Sequence, residues 1–410
     1  MLTEKILVMI MSGGEGKRLY PLTKDRAKPA VPFGGRYRII DFVLSNFINS
    51  GLYKLKLLTQ YKSESLNSHI VRAWHLSTSI GHYIDLVPAQ MRTGKDWYKG
   101  TADAVYQNLN LIHDENPDLV CVFAGDHIYK MDVRLMLNFH IRKRSHITVS
   151  AIPMPVKEAS SYGVIEVDKD SKIKSFEEKP EHPKSIPNKK DLVFCSMGIY
   201  VFNTDVLLKL LEDDAKKDTN HDFGKDILPS AINEYNAFAY NFSKNIIPGE
   251  SRITTEYWRD VGEIDSYWQA NMDLISVTPK LNLYNYGWPI RTFYPPYPPA
   301  KFVFADEDTK RIGIATDSMV AEGCIISGGQ INRTILFPRV KINSYSTVED
   351  SVIFDRVDVG RYARIRRAII DKDVKIMPNA TIGYDLEKDK KRFTISEKGI
   401  VVVPKGAVVD

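Results

Sequence analysis

The sequence predicts an α/β domain with a mostly parallel sheet, followed by a triangular parallel β-helix. Three observations carry this expectation. Strand-like apolar runs alternate with helical patterns as far as about residue 277. The first of these runs, 6–11, leads directly into a glycine-rich turn. From Met319 onward, aliphatic residues recur in steps of 6, and the whole pattern shifts by 17 from group to group.

Strands are expected at 6–11, 54–59, 119–124, 147–152 and 198–202, with helices at 101–114 and 132–143 among them. Ligands of such sheets bind beyond the carboxyl ends of the strands. Gly14, Gln60 and Asp126 each follow a strand closely, so they are candidates to share one crevice. The turn Gly13-Gly14-Glu15-Gly16 lets backbone N–H groups converge on an anion, and Arg18 and Lys28 add positive charge beside it. The Gly-Lys-Ser/Thr ending of a P-loop is missing. Leu19 stands where a dinucleotide fingerprint needs its third glycine.

A proline-rich stretch follows, with Trp288-Pro289-Ile290 and then residues 294–299, and reads as a semi-rigid connector. The expected division is 1–277, a link over 278–312, and 313–410. In the last part the repeating positions are Met319, Ile325 and Ile331, then Leu336, Ile342 and Val348. They continue as Ile353, Val359 and Ile365, then Ile370, Ile376 and Ile382. A helix of 3.6 residues per turn does not produce this spacing. A triangular solenoid with one inward residue per side does, and a coil one residue short of three hexapeptides implies a tightened corner.

The composition is that of a globular protein, 43% hydrophobic with a net charge of +5. No apolar run is long enough to span a bilayer, and no leader pattern opens the chain, so the expected location is cytoplasmic. Cys121, Cys195 and Cys324 are widely spaced and read as reduced structural thiols. The mild basic excess suits small polyanions. The basic cluster Arg142-Lys143-Arg144 lacks the interleaved aromatics of a nucleic-acid surface and reads as a solvated helix end.

Asp126 lies just past a buried strand and is a candidate magnesium ligand, as is Asp260 in Trp258-Arg259-Asp260-Val261-Gly262. Asp132 and Thr101 read as helix N-caps. His127 is assigned a supporting role.

The segments Gly13-Gly14-Glu15-Gly16-Lys17-Arg18-Leu19, Tyr20-Pro21-Leu22-Thr23 and Ala27-Lys28-Pro29 resemble the opening signature of nucleotide-sugar pyrophosphorylases. The block Val31-Pro32-Phe33-Gly34-Gly35-Arg36-Tyr37-Arg38-Ile39-Ile40-Asp41-Phe42 narrows the resemblance to the glucose-1-phosphate adenylyltransferases, and the likeness runs to the C-terminus. It implies a Rossmann-like nucleotidyltransferase domain and a left-handed β-helix. It implies transfer of adenylyl from ATP to α-D-glucose 1-phosphate, giving ADP-glucose and pyrophosphate, with Mg2+ on Asp126 and Asp260. Arg18, Lys28 and the loop of Gly13, Gly14 and Gly16 would stabilise pyrophosphate, and Gln60, Gly100 and Thr101 would line the nucleotide. Tyr98, Gly163, Glu178, Lys179, Ser196, Asp222 and Trp258 would form the glucose 1-phosphate pocket, with Lys179 on the phosphate. Gln60 and Trp97 would link regulatory and substrate sites.

The resemblance also implies a homotetramer in glycogen-type synthesis, and leaves open assembly with a related subunit. Relatives of enteric type carry activator and AMP-site residues where this chain has Asp25, Pro32 and Asp114, so altered control by fructose 1,6-bisphosphate and AMP is expected. Arg26, Arg38 and Arg366 remain as a candidate effector site, against the alternative of solvated faces. Two other functions compete, a UTP- or dTTP-using enzyme and a non-catalytic regulatory subunit. A β-helix acyltransferase is excluded, because residues 319–382 contain no histidine.

Overall fold

A computed structural model describes residues 5–92, 96–186, 189–250, 256–303 and 305–410. Ile6–Ser12 is the central strand of the first sheet, parallel to Lys54–Thr59 on one side and to Leu119–Ala124 on the other. Its buried apolar residues are covered on both faces, which is why it reads as a continuous apolar run. Tyr83–Pro88 extends this parallel half. Beyond Leu119–Ala124 the sheet turns mixed, as Leu192–Asn203 runs antiparallel to it and to Ile147–Pro155. Gly163–Val167 and Ile173–Glu178 form an antiparallel pair at that edge.

The expected helix 101–114 is broken into Thr101–Tyr106 and Leu109–Glu115. The cause is Asn108, whose amide donates to the Ala104 carbonyl (2.8 Å) and to the Tyr98 hydroxyl (2.9 Å), drawing the chain out of helical register. Asp132 caps Val133–Arg142 by accepting from the Arg134 N–H. Thr101 is not a cap. Gly100 takes that position, and the carbonyl of His221 accepts from the N–H groups of Ala102 and Asp103, so no side-chain cap is needed.

Three stacks of short parallel strands form the faces of the β-helix. The first rung starts at Lys301–Val303, which pairs with Ile325–Ser327. The inward columns are Ile342, Val359 and Ile376; Ile331, Val348, Ile365 and Ile382; and Leu336, Ile353 and Ile370. The expectation that Met319 and Ile325 belong to these columns does not hold. Ile325 is 40% exposed while Ile326 is fully buried opposite Ile342, and Val320, not Met319, pairs with Leu336. The first coil is one residue short, and in a strand a one-residue slip exchanges the two faces. The missing residue falls in the corner 327–329, which lies opposite the longer corner 343–346; Gly328 takes there the left-handed φ (+73°) that Tyr345, Tyr362 and Asn379 take in the later coils.

The two parts share an apolar junction. Helix Ile264–Leu274 lays Tyr267 and Trp268 against Phe337, Phe354 and Val402, and the Trp268 indole donates to the Asp350 carbonyl at 2.9 Å. The proline-rich stretch is bonded to helix Ile39–Asn49, since Thr292 donates to Asp41 and Arg291 N–H donates to Ser45. Among the described residues no helix is long and apolar enough to cross a membrane. The three cysteines are buried and unpaired, and burial pushes Cys121 and Cys195 up to about 12.

Candidate active site

The strand end that carries Asp126 continues into His127–Tyr129, which pairs antiparallel with Trp258–Asp260, so that His127 faces Asp260. This pairing brings together two acids that are far apart in sequence. Lys28, in the turn Lys28–Ala30, lies between them. Its Nζ is 2.9 Å from Asp126 Oδ2 and 2.8 Å from Asp260 Oδ1, and its side chain is only 9% exposed. Burial opposes charge on all three groups. The Lys28 ammonium outweighs it for the acids, so Asp126 and Asp260 lie below the ordinary carboxylate range. The two carboxylates in turn hold Lys28 above its usual value. His127 Nε2 stands 3.5 Å from Asp126 and 4.0 Å from Asp260. Trp258 is nearly buried and meets His127 and Tyr162 edge-on.

Above this triad opens a crevice of about 560 Å³. One wall is the glycine loop, with Gly13, Gly14 and Gly16, next to Arg18 and Gln60. Gly16 has φ +67° and starts the turn Lys17–Leu19. Arg18 is largely exposed and donates to Glu263 at 2.6 Å. The opposite wall is Tyr98, Gly100, Thr101 and Asp222. Gly100 is required there, because a Cβ would sit 2.3 Å from the carbonyl oxygens of Asn220 and His221. Thr101 donates to Asp222 Oδ2 (2.9 Å) and accepts from the Phe223 N–H (3.0 Å).

Behind Asp222 lies a second group of predicted residues. Glu178 pairs across the strand with Gly163, where a Cβ would meet Glu178 Oε2 at 2.8 Å. Burial raises the Glu178 carboxyl; Lys179 opposes the shift and Asp222 adds to it. Lys179 has φ +52° and extends into solvent, 4.0 Å from Glu178. Ser196 sits at a β-bulge, where its hydroxyl accepts from the Gly198 N–H at 3.3 Å. Trp97 is exposed.

Of the three arginines of the candidate effector site, Arg26 and Arg38 lie within electrostatic reach of each other and of Lys372, and Arg366 stands apart. Arg26 is buried and donates twice to Asp371 at 3.0 Å, across the junction with the β-helix. Arg38 donates to Ser65. Arg366 belongs to another face of the solenoid and lies over the Tyr384 ring. Sequence reasoning missed Glu263, Gly262 and His221. Gly262 closes the quoted Asp260 motif and was given no role, Glu263 follows that motif, and His221 precedes Asp222, so proximity to a named acid was the available signal.

The profile described as nucleotidyl transferase matches residues 7–277, and that described as GlmU-like, C-terminal hexapeptide, matches 298–403. A glucose-1-phosphate adenylyltransferase of Anaeromyxobacter sp. (strain Fw109-5) is 54% identical over 408 residues, covering 99% of each chain. One of Thermus thermophilus is 53% identical over 414 residues, again with 99% of each chain. A glucose-1-phosphate adenylyltransferase 1 of Vibrio parahaemolyticus is 50% identical over 405 residues, 98% of this chain and 99% of its own. With its nucleotidyltransferase crevice and left-handed β-helix, this chain belongs to the glucose-1-phosphate adenylyltransferase family.

Proposed function

We propose that the crevice transfers the adenylyl group of ATP to α-D-glucose 1-phosphate, giving ADP-glucose and pyrophosphate. The observation that carries the reading is Lys28 bound between Asp126 and Asp260 at the foot of a glycine-lined crevice. The same carboxylates fit a divalent metal, because they already share one cation. Among the described residues no group of three or more His, Cys, Asp or Glu forms a cage. That suits magnesium, which takes one or two carboxylates and completes its shell with phosphate oxygens and water. Bound to Asp126 and Asp260, it would neutralise charge on the α-phosphate.

The remaining roles belong to the chain. The N–H groups of Gly13, Gly14 and Gly16, with Arg18 and Lys28, receive the β- and γ-phosphates. Gln60 addresses the adenine edge, and Tyr98, Gly100 and Thr101 form the facing wall. Lys179 pairs with the sugar phosphate, while Glu178, Asp222 and Ser196 accept from sugar hydroxyls beside Gly163. Trp258 braces His127 and Tyr162 behind them. The sugar phosphate oxygen is already anionic. It forms a bond to the α-phosphorus as the bond to the bridging oxygen breaks, and pyrophosphate leaves with that electron pair. No general base is needed, so rate comes from positioning and charge neutralisation.

The reading extends to a cytoplasmic homotetramer. Phe302, Ile312 and Ile314 are exposed near the open first rung, as suits an end covered by another copy. Arg26 is neutralised by Asp371, which supports altered control by fructose 1,6-bisphosphate and AMP. Pyrophosphate release with Mg2+, glucose 1-phosphate and each of ATP, UTP and dTTP tests the assignment. The expected result is strong ATP preference, abolished in Asp126→Ala. Preference for UTP or dTTP would replace the nucleotide, and folded but inactive protein would point to a regulatory subunit.

A further inference from the structure

The wall between the nucleotide and sugar sides is a single hydrogen-bonded seam, held from behind by two residues outside the crevice lining. Asp214, the last residue of helix Thr204–Asp214, accepts from His221 Nδ1 at 2.8 Å. It also accepts from the Thr219 hydroxyl, which in turn accepts from the His221 N–H. These bonds hold His221 at φ +51°, a left-handed conformation that is uncommon for non-glycine residues although histidine takes it more readily than most. In that conformation its carbonyl accepts from Ala102 N–H (2.8 Å) and Asp103 N–H (3.3 Å), at the start of the helix that bears Thr101. The next residue, Asp222, accepts from Thr101 on one oxygen and from the Gly224 and Lys225 N–H groups on the other.

We infer that Asp214 and His221 are positioning residues that couple the two substrate sites, by locking the sugar-side loop onto the nucleotide-side helix start. The inference rests on the proposed function. Neither side chain reaches the crevice, and each acts through the His221 backbone. A nucleotide ordering Gly100 and Thr101 also orders Asp222, so the sugar phosphate meets a wall already fixed, and the reverse holds equally. A purely structural clamp would support the fold without linking the two affinities.

The test is the affinity of α,β-methylene-ATP with Mg2+, which cannot be cleaved at the reacting bond, measured by calorimetry with and without saturating glucose 1-phosphate. In the wild-type protein the sugar phosphate tightens nucleotide binding by about 5-fold or more. In His221→Ala this factor falls towards one. His221→Asn restores it, because asparagine Nδ2 can take the place of Nδ1 and asparagine tolerates positive φ. Thr101→Val, which cuts the seam at its other end, also loses the factor and serves if His221→Ala does not fold. A wild-type factor of one, coupling that survives in both His221→Ala and Thr101→Val, or failure of His221→Asn to restore it would overturn the clamp while substrate binding itself stands. A wild-type protein that binds neither ligand would overturn the functional reading as well.

Discussion

The β-helix and the crevice bury their side chains on opposite terms. In the solenoid, like stacks on like. Val320, Leu336, Ile353, Ile370 and Val403 pair down one face, each covered by a neighbour of the same kind. In the crevice, unlike meets unlike, and Lys28 has two carboxylates for which no other residue substitutes. Loss from an apolar column removes packing. Loss from the triad leaves a buried charge without its partner, which is the more expensive defect. The solenoid can therefore vary by small steps, and even drop a residue in the corner 327–329, where the crevice cannot.

The largest expected effect tests that contrast directly. Lys28→Met should lower kcat by about 10³-fold, equivalent to about 4 kcal/mol of transition-state stabilisation, because the departing phosphates lose a buried cation. Steady-state kinetics at saturating Mg2+ decide it. A loss below about 10-fold would mean that Lys28 only balances the two acids in the unliganded protein.

Ile365→Ala is the counterpart in the solenoid. Ile365 is fully buried between Val348 and Ile382. Its truncation should cost about 3 kcal/mol of stability in urea unfolding, with kcat of the folded fraction unchanged. A matching fall in kcat would show that the β-helix transmits strain across the junction at Trp268 and Phe354.

Within the crevice, two glycines separate close packing from ligand access. Gly100→Ala drives a methyl into two carbonyl oxygens, and should destabilise by about 2 kcal/mol while raising KM for both substrates. Gly14→Ala meets nothing within 4 Å. It should leave stability within about 0.5 kcal/mol of wild type yet weaken ATP binding, since only the nucleotide comes that close. Equal melting temperatures for the two variants would refute the seam between Gly100 and His221.

What the sequence made legible follows the same division. A repeated column announces itself, because each position is sampled four times, and the three faces of the solenoid were readable from spacing alone. The one-residue slip was not, since Met319 and Ile325 fit the period as well as Val320 and Ile326 do, and only strand pairing decides between neighbours. In the crevice, Asp126 was readable as a strand-end acid. Its meeting with Asp260 depends on the antiparallel pairing of two three-residue strands, which no local pattern encodes, so resemblance had to supply it. Thr101 looked like a cap by composition, and a carbonyl from a distant loop took that duty instead. Arg26 looked free for an effector because its partner, Asp371, lies in the other part of the chain.

The smallest expected effect sharpens the comparison from the side of the sugar. Glu178 is raised above its ordinary 4.5 by burial, with Asp222 adding to the effect, so the folded protein holds this proton more tightly than the unfolded chain does. Stability therefore falls as pH rises from about 4.5 through the folded value, and the deficit persists at neutral pH. Asp126 and Asp260 have the opposite sign. Their folded values are depressed, so their contribution is complete above about 4 and is lost only as pH falls below the ordinary value of 3.8. Glu178→Gln removes the neutral-pH penalty and should raise the melting temperature by about 1–2 °C at pH 7, with the gain vanishing below about pH 4.5. The same change should raise KM for glucose 1-phosphate by about 10-fold, because a neutral amide is a weaker acceptor for sugar hydroxyls. A thermal melt at pH 7 and pH 4 alongside the KM measurement separates the two consequences. A variant that is more stable and binds sugar phosphate less well identifies Glu178 as a carboxylate kept ionised for a ligand at the expense of the fold, whereas a less stable one would make it part of the packing.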